Sequence, residues 1–346
     1  MTARCITLLI LIAVMPFSAM AEVENAADSK TFSFYLENDA FAKTDRHYTS
    51  GIRLTWISPD LTNYLEHPRL PKWTHPLIDR LPFIHEPGYQ RAIYLSIGQN
   101  IYTPEDTERS DLIEEDRPYA GHAYLAIGFQ SKNTLYMDTL ELDLGIVGPH
   151  SYAEDSQTQI HEWIDSFVPK GWDNQLDDEL VGGIVYMHKN KLIQSGLGNG
   201  FNYDVIPHIG GGLGNLKTYV NAGAQVRFGW NLPNDFGTFL IRPGCECNVP
   251  IDERDPRFFP PHHRFGIHAF TAIDTIAVFH DIFLDGNTFQ DSHRVDKEPF
   301  TADIMAGLSF IFSRFKMSYA YVYRTKEFEN QPKGNIFGTI TISFTY

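Results

Sequence analysis

Two short segments concentrate residues able to bind a cation or move a proton. The first, FYLENDAFAKTDRHYTSGIRLTW, runs from Phe34 to Trp56. Its alternating apolar flanks enclose Glu37, Asn38, Asp39, Asp45, Arg46, His47 and Thr49. A hairpin turn needs only a Gly or an Asn and a few solvated side chains, so this one is over-supplied. Asn38, Asp39 and nearby carbonyls offer a hard cation oxygen ligands, with no thiolate or histidine cluster required. The second segment is VGPHSYAEDSQTQIHEWIDSFVPKGWDNQLDDE. Ala153 to Phe167 reads as a helix with Asp155 or Ser156 as its N-cap. Ile160, Trp163, Ile164 and Phe167 form an apolar stripe expected to bury against a neighbouring wall. Gln157, His161 and Asp165 form a second stripe beside it. His161 with a carboxylate one turn away is the arrangement of a general base. A surface histidine on an amphipathic helix has the same spacing, and both readings stand at this point.

The elements that must position these groups are strands. At the C-terminus, NIFGTITISFTY puts Ile336, Gly338, Ile340, Ile342, Phe344 and Tyr346 on one face and Phe337, Thr339, Thr341, Ser343 and Thr345 on the other. RFKMSYAYVYR aligns Phe315, Met317, Tyr319, Tyr321 and Tyr323, and TLYMDTLELDLGI sets Leu140, Leu142, Leu144 and Ile146 opposite Thr139, Glu141 and Asp143. Strands about ten residues long, apolar on one face and polar on the other, are the pattern of a transmembrane β-barrel. A soluble sandwich alternates in the same way but does not account for the terminal aromatic strand and the aromatic strand ends. Twelve segments carry the pattern, near 31–38, 47–58, 91–101, 119–131, 134–147, 181–194, 201–212, 215–230, 264–284, 299–313, 315–326 and 335–346. The expectation is an all-β fold, a twelve-stranded antiparallel transmembrane β-barrel with a short helix in an extracellular loop. An even count puts both termini and the long Pro-rich segments 59–90 and 231–263 in the periplasm, and the links at 39–46, 102–118, 148–180 and 285–298 outside.

Composition narrows the compartment. Residues 1–21 read as a cleaved secretory signal peptide ending Ala19-Met20-Ala21, leaving 22–346 as the barrel. A net charge of −15 argues against nucleic acid as a partner. Cys245 and Cys247 remain after cleavage, as a C-x-C disulfide or as two thiols.

The quoted motifs ENDAF, D-R-H-Y-T-S-G, QNIYTP, EDRPYAG, VGP, Q-x-x-x-H and GWDNQL together resemble the outer-membrane lipid A 3'-O-deacylases. The resemblance is specific from Phe34 to Glu179 and rests on barrel patterning beyond. It implies a twelve-stranded barrel, and a calcium-dependent esterase that removes the 3'-linked acyloxyacyl chain of lipid A in the outer leaflet. It places His161 on the catalytic histidine, Asn38 and Asp39 on the Asn-Asp pair ending the first strand, and Thr49 on the hydroxyl residue opening the second. Asp39 is then the calcium contact, and calcium the stabiliser of the oxyanion.

Two departures accompany it. The family's acidic residue after its histidine falls on Phe167, leaving Asp165 as the nearest carboxylate. Its basic residues in the second outer loop are matched only by Arg109. Asn38 also falls in phase with lipid-facing Phe34 and Leu36, whereas Thr49 falls in phase with luminal Arg53, so a β-bulge, or a strand end projecting above the bilayer, is needed to bring them together.

Arg117, in EDRPYAG, is expected either to pair a luminal carboxylate or to join Arg109 in binding substrate. Trp172 is expected to anchor the end of the loop helix. His262 and His263 form a pair without a third metal ligand. A monomer is expected. The rival readings are an inactive barrel that only binds lipopolysaccharide, a soluble ligand-binding sandwich, and a passive channel, which inward Met305, Ile311 and Phe337 would obstruct.

Overall fold

The computed structural model describes residues 26–42, 47–62, 71–258 and 265–346. The signal segment, Asp45, Arg46, His262 and His263 lie outside the described residues. Thirteen strand segments form one sheet that closes on itself. They are β1 (Thr31–Asn38), β2 (His47–Ile57), β3 (Gln90–Thr103), β4 (Ala120–Lys132), β5 (Tyr136–Val147), β6 (Glu179–Asn190), β7 (Ile193–Gly198), β8 (Phe201–Gly214), β9 (Lys217–Trp230), β10 (Phe265–Asp281), β11 (Phe300–Phe312), β12 (Phe315–Arg324) and β13 (Asn335–Thr345). β6 and β7 both pair with β8 and form a single stave broken near Lys191, so the antiparallel barrel has twelve staves. β1 pairs with β13 from Thr31↔Thr345 to Asn38↔Gly338 and closes the wall.

The alternation read from the sequence is what the wall uses. Leu95, Ile97, Leu125, Ile127, Leu142 and Leu144 are exposed on the outer face, while Thr139, Glu141 and Arg53 are buried inward. No helix among the described residues is long and apolar enough to cross a membrane. Met305, Ile311 and Phe337 point inward as expected.

Segment 231–263 departs from the expectation. Its described part, 231–258, does not stay beyond the end of the barrel that carries the termini. It enters the lumen there and rises toward the opposite rim. The physical reason is the charge on the inner wall: buried ions require partners, and an irregular backbone can supply them. Near the terminal end, Arg227 Nη1 contacts Asp235 Oδ1 at 2.5 Å, and Arg227 Nη2 contacts Asp204 Oδ2 at 2.5 Å. Asp235 Oδ2 also accepts from Arg257 at 3.0 Å and from Lys316 at 2.7 Å. Higher up, Ile241 N donates to Glu37 Oε1 at 2.7 Å, Gly244 N to Glu141 Oε2 at 2.9 Å, and Arg242 Nη2 to Asp303 Oδ2 at 2.9 Å. The segment is a plug, and Cys245 and Cys247 lie inside it as buried free thiols. The described part of 59–90 stays at the terminal end, where Ile78 and Ile84 pack with Leu61 and Phe129. It contains the four-residue helix α1 (His75–Ile78).

Candidate functional site

At the opposite rim, the outer face of β3 and β4 is roofed by the loop between β5 and β6. That loop carries helix α2, Ala153–Ile164. The helix starts at Ala153 as expected, ends three residues sooner than Phe167, and is not capped by Asp155 or Ser156. Its N-cap is Tyr152 at φ 55°, with no side-chain cap, and its C-cap is Asp165 at φ 57°. Ser166 N reaches back to His161 O at 2.8 Å, so the helix ends in a Schellman-type turn.

The buried face of α2 corrects the sequence reading. Ala153, Gln157 and His161 face the wall at 1%, 3% and 8% exposure, while Ile160, Trp163 and Phe167 stand out at 37%, 52% and 40%. The rule that apolar side chains turn inward assumes water outside. Beside an apolar outer belt the polar stripe turns in and the apolar stripe turns out. The helix packs on β3 and β4. Ile101, Tyr119, Ala153 and Trp172 form the contact, and Gln99 Nε2 donates to Ser151 O at 2.7 Å. Trp172 is fully buried against Tyr119, and its Nε1 donates to Gln157 Oε1 at 2.9 Å, which is the anchoring expected of it. Gly121 makes the approach possible: a Cβ there would lie 2.1 Å from Ser151 Oγ and 2.2 Å from Ala153 Cβ.

Asp165 does not orient His161. It caps the helix in the left-handed conformation with its side chain exposed. His161 Nδ1 instead meets the backbone carbonyl of Phe167. A carbonyl can only accept, so this contact keeps the ring proton on Nδ1 and the lone pair of the neutral imidazole on Nε2. Sequence reasoning missed this partner because a carbonyl leaves no mark in side-chain identity.

The bulge demanded by the strand phases is present. The β2–β3 register shifts between Tyr48 and Ser50, which gives Thr49 an extra position. Tyr48 therefore points into the lumen, where its hydroxyl donates to Glu37 Oε2 at 2.8 Å. Thr49 Oγ1 lies 2.8 Å from Thr103 Oγ1, and Thr103 is in phase with Ile101 beneath the helix. Asn38 ends β1 on the outer face opposite Ser50. Its Oδ1 accepts from Ala40 N at 2.7 Å and opens the turn Asp39–Ala42, with Asp39 itself buried. Asn38, Asp39 and Thr49 are thus gathered at one place on the outer rim. His161 lies farther round, on the helix that packs over β3 and β4, the strand β3 also carrying Thr103.

The two arginines separate. Arg117 Nη1 meets Glu327 Oε2 at 3.2 Å, and the guanidinium lies over the Tyr102 ring, so its charge is used inside the rim. Arg109 is exposed and pairs with Asp111. Next to Arg117, burial raises the Asp116 carboxyl above its usual range although Glu105 N and Arg117 N both donate to it.

Among the described residues no three His, Cys, Asp or Glu side chains are grouped to hold a metal. The side chains named at this rim offer oxygen donors: the Asp39 carboxylate, the Asn38 amide, and the Thr49 and Thr103 hydroxyls. That chemistry suits a hard cation with few protein ligands.

A family model described as "Outer membrane protein LpxR" matches residues 6–346. Among solved structures, LpxR from Salmonella typhimurium superposes with a TM-score of 0.68 at 18% identity, covering 91% of this chain and 99% of that one. The β domain of the Bordetella autotransporter BrkA reaches 0.42 at 9% identity, over 92% of this chain and 97% of that one. No curated protein sequence matches.

Proposed function

The chain belongs to the LpxR family of outer-membrane proteins, and from that premise we propose that it is a lipid A 3'-O-deacylase working at the outer rim of its barrel. The observation that carries the reading is a set of buried polar side chains at the outer rim, some on the loop helix and some at the neighbouring ends of β1, β2 and β3. Gln157 and His161 face the wall from the helix, and Asp39, Thr49 and Thr103 are buried at the rim ends of β1, β2 and β3. Polar groups beside a helix whose apolar stripe faces outward suit an ester carried by a lipid of the outer leaflet.

In this mechanism His161 Nε2 takes a proton from water, and the hydroxide adds to the ester carbonyl of the 3'-linked acyloxyacyl chain. The Phe167 carbonyl holds the ring in the required tautomer, as a carboxylate does elsewhere. Asn38 Nδ2 and the Thr49 hydroxyl are donors that can meet the developing oxyanion. Collapse breaks the bond to the sugar oxygen, which receives the proton from His161. Calcium, when bound at the oxygen donors of Asp39 and its neighbours, would add Lewis-acid stabilisation of the oxyanion. Arg109, exposed at the loop tip, is the basic group left to meet a lipid phosphate once Arg117 is engaged by Glu327.

The test is release of acyloxyacyl chain by purified protein in vesicles containing lipid A. Chelation should stop release reversibly, and calcium should restore it better than magnesium, whose octahedral shell fits an open site poorly. Full activity after chelation removes calcium from the mechanism. Absence of release with calcium present removes the deacylase reading.

A further inference from the structure

Phe41 does not join the side chains beneath the helix. It lies on the opposite side of Asn38 and Asp39, folded over the outer face of β13. A Cβ on Gly338 would sit 2.6 Å from Phe41 Cβ, so only glycine admits the ring there. Tyr321 Oη donates to the Phe41 carbonyl at 3.3 Å, and the Phe41 ring meets Tyr319 edge-on at 5.9 Å.

Strand pairing places Asn38, Gly338, Tyr321 and Ala306 in one row across β1, β13, β12 and β11. The row begins at the proposed catalytic rim and runs away from it along the lipid-facing wall. Two of its four members are a glycine and an alanine, flanked above by Ile304, Tyr323 and Ile336, so the row is a depression between taller side chains. A groove does lie there, lined by Phe41, Ile304, Ala306, Tyr321, Tyr323 and Ile336. Ile304, Tyr321, Tyr323 and Ile336 are exposed on the outer face.

We propose that this groove is an acyl-chain subsite of the same active site, holding the alkyl chain of the lipid whose ester lies at Asn38 and Asp39, and that Phe41 and Ala306 set the chain length accepted. This rests on the deacylase reading and extends it to how the substrate is selected. The occupant is a lipid chain because the floor and most of the walls are apolar and belong to the surface a bilayer covers. Phe41 separates the groove from the Asn38–Asp39 turn by a single ring, so a chain lying in it delivers its carbonyl end to the turn.

The experiment compares wild type, Ala306→Phe and a control, Leu308→Phe, on lipid A substrates with shorter and longer 3'-acyl chains in mixed vesicles. Leu308 faces lipid on the same strand outside the groove lining, and heat-modifiable mobility reports folding of all three. Ala306→Phe should lower kcat/KM for the longer chain about tenfold while sparing the shorter one. Leu308→Phe should leave the ratio between substrates unchanged. A wild-type ratio in a folded, active Ala306→Phe protein overturns the subsite and makes the groove ordinary bilayer contact. An inactive wild type would instead overturn the deacylase reading itself, so the two failures are distinct.

Discussion

Glu37 and Asn38 are consecutive on β1 and face opposite sides of the wall. Glu37 turns into the lumen, where it accepts from Ile241 N of the plug and from the Tyr48 hydroxyl. Asn38 turns outward and begins the turn that buries Asp39. The lumen answers charge with charge: Asp235 alone meets Arg227, Arg257 and Lys316. The outer rim buries Asp39, Thr49 and Thr103, beside a helix that turns Gln157 and His161 to the wall and its apolar stripe away. The luminal ion pairs tie the plug to the inner wall. The outer rim instead groups uncharged polar side chains with Asp39 and His161, which is where the proposed chemistry is assigned.

The comparison breaks first at His161. His161→Ala should lower deacylation by about 10²–10⁴-fold, as loss of a general base does, with the barrel still heat-modifiable. A folded variant of near wild-type rate would place the base elsewhere. On the luminal side, Asp235→Ala leaves three buried cations without their shared carboxylate, a loss of about 3–5 kcal/mol. Thermal unfolding should move down accordingly, while turnover per folded molecule stays near wild type. Matching losses of activity and stability would show that the two regions are not separable.

Gly121→Val attacks the seat of the helix. The added side chain displaces Ser151 and Ala153 and with them His161, and a misplacement near 1 Å costs about 10²-fold in rate. KM should move less than kcat, and unchanged kinetics would mean that the helix does not position the histidine. The smallest effect is expected at Trp163, half-exposed on the outward stripe. Trp163→Ser should remove roughly 1 kcal/mol of interfacial burial. Turnover on vesicles should fall about fivefold, with little change in detergent micelles. Equal effects in both media would contradict a lipid-facing helix.

Most of the wall was legible because a two-residue period is a direct record of which side chains face lipid. The twelve staves fall within a few residues of their expected bounds, and the bulge at Thr49 followed from a phase conflict between Asn38 and Thr49. The loop helix was legible as a helix but its orientation was reversed, since Ile160 and Trp163 were assigned to a protein wall when a lipid surface was the better match. The plug was not legible. Residues 231–258 have no periodicity, and their partners Glu37, Glu141 and Lys316 are far away in sequence. The role given to Asp165 failed for a related reason: the left-handed turn after Ile164 swings its carboxylate outward and presents the Phe167 carbonyl in its place.

The most direct test of the central claim is mass spectrometry of lipid A from cells producing the wild-type protein, the His161→Ala variant, or neither, with both proteins verified as folded barrels in the outer membrane. Only the wild type should give lipid A lighter by the 3'-linked acyloxyacyl chain, with the free acyloxyacyl acid recovered beside it. Lipid A of unchanged mass in cells carrying abundant, folded, calcium-supplied wild type would contradict the account, and so would an equal mass shift produced by His161→Ala.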